Sequence, residues 1–165
     1  MKVLIIYDSK YGNTKNVAEN ILEGFKQVEG IEADTGSSKE NDFQSLVCYD
    51  ALIIGAPNHM GRPSRTIQKF IEKLAAFDLK AKNVAVFGTY SGRTRPLDRA
   101  VKKLEKKVEK TLPNLKLLSP SLSVKVKGVT GPVAEGELTK SKEFGNRIAN
   151  QLKPQIHDTE KEIIQ

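Results

Sequence analysis

The sequence predicts an α/β protein: a doubly wound, five-stranded parallel sheet with helices on both faces, three layers in all. Three observations carry this. "KVLIIY", "ALIIG" and "NVAVF" are continuous apolar runs of strand length, without the polar alternation of a half-exposed strand, as expected where both faces are covered. Between them, apolar residues recur at helical spacing. Strand and helix then alternate along the chain, a pattern that right-handed crossovers convert into a parallel sheet.

Each element has its own warrant. "KVLIIYD" is the first strand, and Val17, Ala18, Ile21, Leu22 and Phe25 give the inner stripe of the helix that follows, ended by Gly30. "IEAD" is a short, weaker strand, and Ser38 to Leu46 reads as a short helix. "ALIIGAP" is the second fully buried strand, with Pro57 as its end. Ile67, Phe70, Ile71 and Leu74 mark a helix after Pro63 and Ser64, and "NVAVFG" is the next strand. Leu97, Ala100, Val101, Leu104 and Val108 form the inner stripe of a fourth helix whose outer face carries lysines. "LKLLSPSLSVKVKG" reads as an edge strand broken at Pro120, because proline cannot donate to a central ladder. Leu138, Phe144, Ile148, Ala149 and Leu152 make the last helix, which Pro154 is expected to stop.

The 165 residues suit one domain, placed at 1–152, followed by a frayed tail at 153–165. Cys48, the single cysteine, follows Leu46 and Val47 and reads as a small buried hydrophobe. His59 and His157 are far apart, so no Cys/His cluster has metal-ligand spacing. No apolar run approaches the ~20 residues of a membrane span, and the first stops at Asp8, short of the ~7–15 of a secretory core. The expectation is a cytoplasmic protein. Net charge is +7, and most of it lies between Gly92 and Lys116, where nine basic residues face Asp98, Glu105 and Glu109. Such a patch steers anionic partners.

Where the first strand ends, "SKYGNT" spans Ser9 to Thr14. Gly12 permits a tight backbone path, Asn13 tolerates turn conformations, and Ser9 and Thr14 supply hydroxyls. A helix starting near Asn13 presents unpaired N–H groups and the positive end of its dipole, a ready anion site. Lys10 is the loop's one cation and need not touch the anion. A turn with an N-cap would use similar residues. The loop lacks both the three spaced glycines of the dinucleotide pattern and the Gly-Lys-Ser/Thr of the nucleotide-triphosphate pattern.

"SKYGNT" resembles the phosphate loop of the short-chain flavodoxin family, Ser/Thr-x-Thr-Gly-x-Thr, with Tyr11 in place of a threonine; the similar flavodoxin modules of A-type flavoproteins also accept a tyrosine there. "IIGAPNHMGRPSRTIQKFIEKL" looks like the family's strand, flavin loop and third helix, and "GPVAEGELTKSKEFGNRIANQL" like its closing helix. The resemblance implies strand order 2-1-3-4-5 and bound flavin mononucleotide (FMN). It makes Ser9, Lys10, Tyr11, Gly12, Asn13 and Thr14 the first cofactor-binding loop, the one that holds the phosphate. Its second cofactor loop is Ala56, Pro57, Asn58, His59, Met60 and Gly61, with Met60 on one ring face and a Gly61 carbonyl able to turn toward the flavin. The third is Gly88, Thr89, Tyr90 and Gly92 in "VFGTYSGRTRPLDRA". Family members place a tryptophan or tyrosine here over the outer ring face. This chain has no tryptophan, and Tyr90 comes early. Where flavodoxins are strongly acidic, this chain is basic, and Arg62, Arg93 and Arg95 are expected near the flavin rim.

The leading reading is an electron carrier with no catalytic side chain and no metal, meeting a redox partner protein through that partner's acidic docking surface. An FMN-dependent oxidoreductase on the same fold, such as a quinone reductase or a flavodoxin-like protoporphyrinogen oxidase, is the alternative, and NAD(P)H–quinone turnover separates them. A nucleic-acid-binding module would use the Lys-rich helix, but the patch lacks interleaved aromatics.

Overall fold

The computed structural model describes residues 1–92 and 98–164, with side chains as far as Lys153. Expectations placed on Arg93, Arg95 and Leu97 lie outside these residues. In chain order the elements are β1 (Lys2–Tyr7), α1 (Asn13–Lys26), β2 (Glu32–Ser37), α2 (Phe43–Leu46), β3 (Ala51–His59), β4 (Arg62–Pro63), α3 (Arg65–Leu74), β5 (Asn83–Tyr90), α4 (Arg99–Thr111), β6 (Lys116–Leu117), β7 (Leu122–Lys125) and α5 (Glu137–Ile164). The sheet runs β2-β1-β3-β5-β6, with β7 also on β5 and β4 folded back antiparallel on β3. Every other pairing in the sheet is parallel. Taking β6 and β7 as the two halves of one broken strand, this is the expected order.

Period-two alternation sorts the central strands between two cores. Val3 and Ile5 of β1, Ile53 of β3 and Phe87 of β5 face α1 and α5, where Val17, Ile21, Phe25, Ile148 and Leu152 are buried. Leu4, Ile6, Leu52, Ile54, Val84 and Val86 face α3 and α4, against Ile67, Ile71, Leu74, Leu104 and Val108. Each such side chain contributes about 1.5–3 kcal/mol of burial. Gly55 has a packing reason: the Phe87 ring beside it occupies the space of a Cβ, 2.0 Å from where one would stand.

Several boundaries differ from the sequence reading. β2 extends to Ser37, because an edge strand in register with all of β1 needs no apolar run. β3 continues past Pro57 to His59: β1 stops at Tyr7, opposite Gly55, so beyond it a residue without an N–H faces no neighbour on that side. The Pro57 carbonyl instead accepts the Ser64 N–H at 3.1 Å. Of the helix expected from Ser38, only Phe43–Leu46 forms, capped where the Asp42 carboxylate accepts the Gln44 N–H. Cys48 is exposed, not buried; in this turn Leu46 is the residue that enters the core. α5 does not stop at Pro154 but runs to Ile164. Among the described residues no helix is long and apolar enough to cross a membrane.

The pole of the sheet opposite the strand C-termini is tied by Asp50. Its carboxylate accepts the Lys2 N–H at 2.8 Å and pairs with the Lys80 ammonium at 2.9 Å. Burial pushes its pKa up, but the Lys2 N–H and the Lys80 charge outweigh burial and hold it below the usual carboxylate range. A folded-state pKa below the unfolded value of about 3.9 gives stability that is present above pH 4 and lost as pH falls through the folded value. Asp50→Asn is therefore expected to cost about 1–2 kcal/mol at pH 7. In urea unfolding series the gap to the parent should close steadily below pH 4; a gap independent of pH would show that the charge is not what Asp50 contributes.

Candidate functional site: a cleft at the strand-order switch

Strand order reverses between β1 and β3, and in open sheets the crevice beyond the strand C-termini at such a point takes ligands. One cleft lies there. Its walls are Ser9, Lys10, Tyr11, Asn13 and Thr14 after β1, Pro57, Asn58 and His59 from the end of β3, and Thr89, Tyr90 and Ser91 from the end of β5. Val126, Gly128 and Val129, after β7, complete it.

The floor is the start of α1. Its N-cap is Gly12, at φ 88°, a left-handed backbone that glycine adopts at little cost. A glycine cap offers no side-chain acceptor, and a Cβ placed there would stand in open space. The Ser9 hydroxyl oxygen accepts the N–H groups of Gly12 (3.1 Å) and Lys15 (3.3 Å), which folds the loop back on the helix. The other first-turn amides have no acceptor within the helix and carry the positive end of its dipole. Buried beside them, the Thr14 and Thr89 hydroxyls meet at 2.9 Å. Whichever accepts keeps its own proton to give to a ligand. Among the described residues the cleft wall carries no carboxylate, and it carries Lys10. That donor set fits a phosphate dianion.

The rim is apolar. Tyr11 is 49% exposed and Val129 73%, and Met60, on the adjoining turn, is fully exposed. Exposed large hydrophobes gathered at one end of a molecule mark a binding surface. Met60 also holds φ 57°, a left-handed conformation that costs a side-chain-bearing residue about 1–3 kcal/mol and collects at ligand clamps. The Asn58 side-chain oxygen accepts the Gly61 N–H at 2.7 Å and braces this turn. A flat aromatic group joined to a phosphate would find donors at one end and apolar cover at the other.

The structure thus gathers ten of the sequence-derived site residues in one cleft, with Gly12 beneath them. The others sit around it. Ala56 is buried in the α3–α4 core, and a Cβ on Gly88 would strike Val101 at 2.6 Å, so both press on the opposite layer. Met60 and Gly61 form the outer turn. Gly92 is exposed, at φ 120°, and does not line the cleft. Sequence reasoning did not name Ser91, Val126, Gly128 or Val129. The last three belong to a hairpin closed by Lys127 N–H to Pro132 carbonyl (2.8 Å) and by the Val126–Val133 bridge. Its signal was present as "KGVTGP", two glycines flanking a valine and a threonine, both at positive φ here.

Charge beside the turn is positive. Arg62 on β4 is exposed, and Lys103 on α4 has its pKa pushed down by burial, then by Arg99 and Arg62.

A doubly wound sheet with a glycine-capped helix start and an apolar rim at its switch point has the architecture of a nucleotide-binding protein. The sequence model of the flavodoxin family, described as "Flavodoxin", matches residues 5–126, and the chain belongs to that family. Members of the family bind FMN. The chain is 37% identical over 71 residues to a flavodoxin of Aquifex aeolicus, covering 43% of this chain and 38% of that one. It is 35% identical over 89 residues to a flavodoxin of Clostridium saccharobutylicum, covering 54% and 56%. The matches thus span about two-fifths and just over half of these relatives' lengths. Among solved structures, a flavodoxin from the domain Archaea superposes with a TM-score of 0.75 at 22% identity, over 93% of this chain and 99% of that one. At that identity the likeness speaks for the fold.

Proposed function

We propose that the protein holds FMN non-covalently in this cleft and carries electrons between partner proteins. The observation that supports this most directly is the Gly12-capped start of α1, with its open amides, in a cleft wall that carries no carboxylate among the described residues. Ser9, Thr14 and the amides of Lys10, Tyr11, Asn13 and Thr14 would hold the phosphate. Tyr11, Met60 and Val129 would cover apolar ring surface, while Asn58 fixes the turn that carries Met60. Tyr90 would lie along the ring. When bound, FMN supplies reversible one- and two-electron chemistry; the chain supplies orientation, partial exclusion of water and a local field. No side chain has to act as acid or base. The proposal includes a cytoplasmic location and a redox partner whose docking surface is acidic, opposite in sign to the +7 of this chain.

FMN titration tests it. Flavin fluorescence should change saturably, with heat evolved. Melting should move upward, corresponding to about 2.7 kcal/mol at a hundredfold excess over Kd. A titration that leaves fluorescence, heat and melting untouched removes the proposal.

A further inference from the structure

We infer that Arg62, Arg99 and Lys103 form one anion-recognition site beside the Met60–Gly61 turn, and that it receives carboxylates on the acidic face of a redox partner protein. This rests on the electron-carrier reading above and locates its docking contact.

Three elements bring the cations together. β4 folds back on β3 so that Arg62 stands opposite His59. β4 also packs on α4, whose first residue is Arg99. The Arg99 side chain lies on the turn: its Cδ and Nε are 3.4 and 3.7 Å from where a Cβ on Gly61 would stand. Lys103 follows one helical turn later on the same face. It is close enough to Arg99 and Arg62 for both to weaken its hold on its proton.

Two of the other lysines on α4 are neutralised. Lys102 pairs with Asp98 at 3.4 Å, and Lys107 pairs with Glu72. Among the described residues, Arg62, Arg99 and Lys103 have no carboxylate partner. Like charges held together repel, and an incoming anion relieves the repulsion while gaining charge-assisted hydrogen bonds. Arg62 and Arg99 both offer planar forks suited to carboxylates.

The extent of the field selects a protein over a small anion. Lys106 and Lys110 continue the exposed positive face along α4, with only Glu105 and Glu109 as acids on the helix itself. The helix is about 20 Å long, beyond the reach of one phosphate but suited to a protein contact. The site adjoins the turn expected at the cofactor's edge, where a partner must approach to exchange electrons.

The test compares charge reversals of equal size: Arg62→Glu and Lys103→Glu at the site, and Lys142→Glu on α5, across the sheet. The first readout is binding of a fluorescent deca-glutamate peptide to the full chain at low salt. Both site variants should weaken it at least fivefold, and Lys142→Glu should not. The second uses the FMN-loaded, two-electron-reduced protein. Two ferricyanide ions each accept one electron and become ferrocyanide, and the protons of the reduced flavin pass to water. The site variants should slow this step roughly tenfold and speed oxidation by hexaammineruthenium(III), with both differences vanishing near ~1 M salt. Equal behaviour of Lys103→Glu and Lys142→Glu overturns the inference. So does tight pyrophosphate or DNA binding at these cations without peptide binding. FMN binding with no charge-specific change defeats the inference alone. Absent FMN binding defeats the electron-carrier reading and with it the redox partner, while peptide binding would still report whether the cations take carboxylates.

Discussion

Gly145→Ala should destabilise the protein by about 3 kcal/mol, although helix propensity alone predicts a gain of about 1 kcal/mol. The sign is decided by how closely α1 and α5 approach. A Cβ on Gly145 would stand 2.1 Å from the Ile21 carbonyl oxygen and 2.9 Å from its carbon. A Cβ on Gly24, the matching position of α1, would stand 2.0 Å from the Lys142 carbonyl oxygen and 2.7 Å from the Asn146 nitrogen. Real Cβ atoms do not come within 3.0 Å of backbone, and a backbone cannot swing aside as a side chain can. The methyl can be accommodated only by moving the helices apart, which opens the layer where Val17, Ile21 and Phe25 share a core with Phe144, Ile148 and Leu152. Gly24→Ala should behave alike. The double variant should not be rescued, because each methyl strikes backbone and not the other glycine's vacant side. Urea unfolding at 25 °C, with an unchanged denaturant slope, gives the measurement. A neutral or stabilised Gly145→Ala protein would mean that the two helices are not in backbone contact.

That contact shows where sequence reading stops. The central strands were legible because burial on both faces leaves a local trace: an unbroken apolar run of strand length. α3 was legible because Ser64, whose hydroxyl accepts the Ile67 N–H, stands directly before its apolar stripe. β4 was not, because two residues carry no period and their pairing is imposed by the Met60–Gly61 turn. The glycines of the helix pair look like liabilities to a helix, and only their mutual placement explains them. In the site, Ser9 to Thr14 could be singled out because a tight left-handed cap, hydroxyls and a helix start are properties of one short segment. The hairpin wall could not, since its position depends on tertiary contact: a Cβ on Gly131 would fall 2.3 Å from the Asn13 side-chain oxygen, so the hairpin leans directly on the loop before α1. Ala56 and Gly88 were carried along by sequence adjacency, and strand alternation turns them the other way.

Thr14→Val should lower FMN affinity by roughly 10- to 100-fold, while riboflavin affinity changes little. Valine keeps the shape, so packing at this 2% exposed position is preserved and only the hydroxyl is lost. A hydrogen bond to a charged group is worth about 1.5–3 kcal/mol, and each 1.4 kcal/mol is tenfold in affinity. The contrast with riboflavin isolates the phosphate, because the two ligands share everything else. Thr89→Val separates a direct bond from an indirect one. It removes the partner that meets Thr14 at 2.9 Å but leaves the Thr14 hydroxyl and its proton in place. If Thr14 donates to the phosphate, Thr89→Val should cost FMN affinity less than Thr14→Val. Both substitutions strand one buried hydroxyl, so both should lower stability by about 1–2 kcal/mol, which serves as an internal control for structural damage. Equal losses of FMN and riboflavin in the Thr14→Val protein would move the phosphate away from the start of α1. The helix amides would then be left as an ordinary cap, and the cleft would need another ligand.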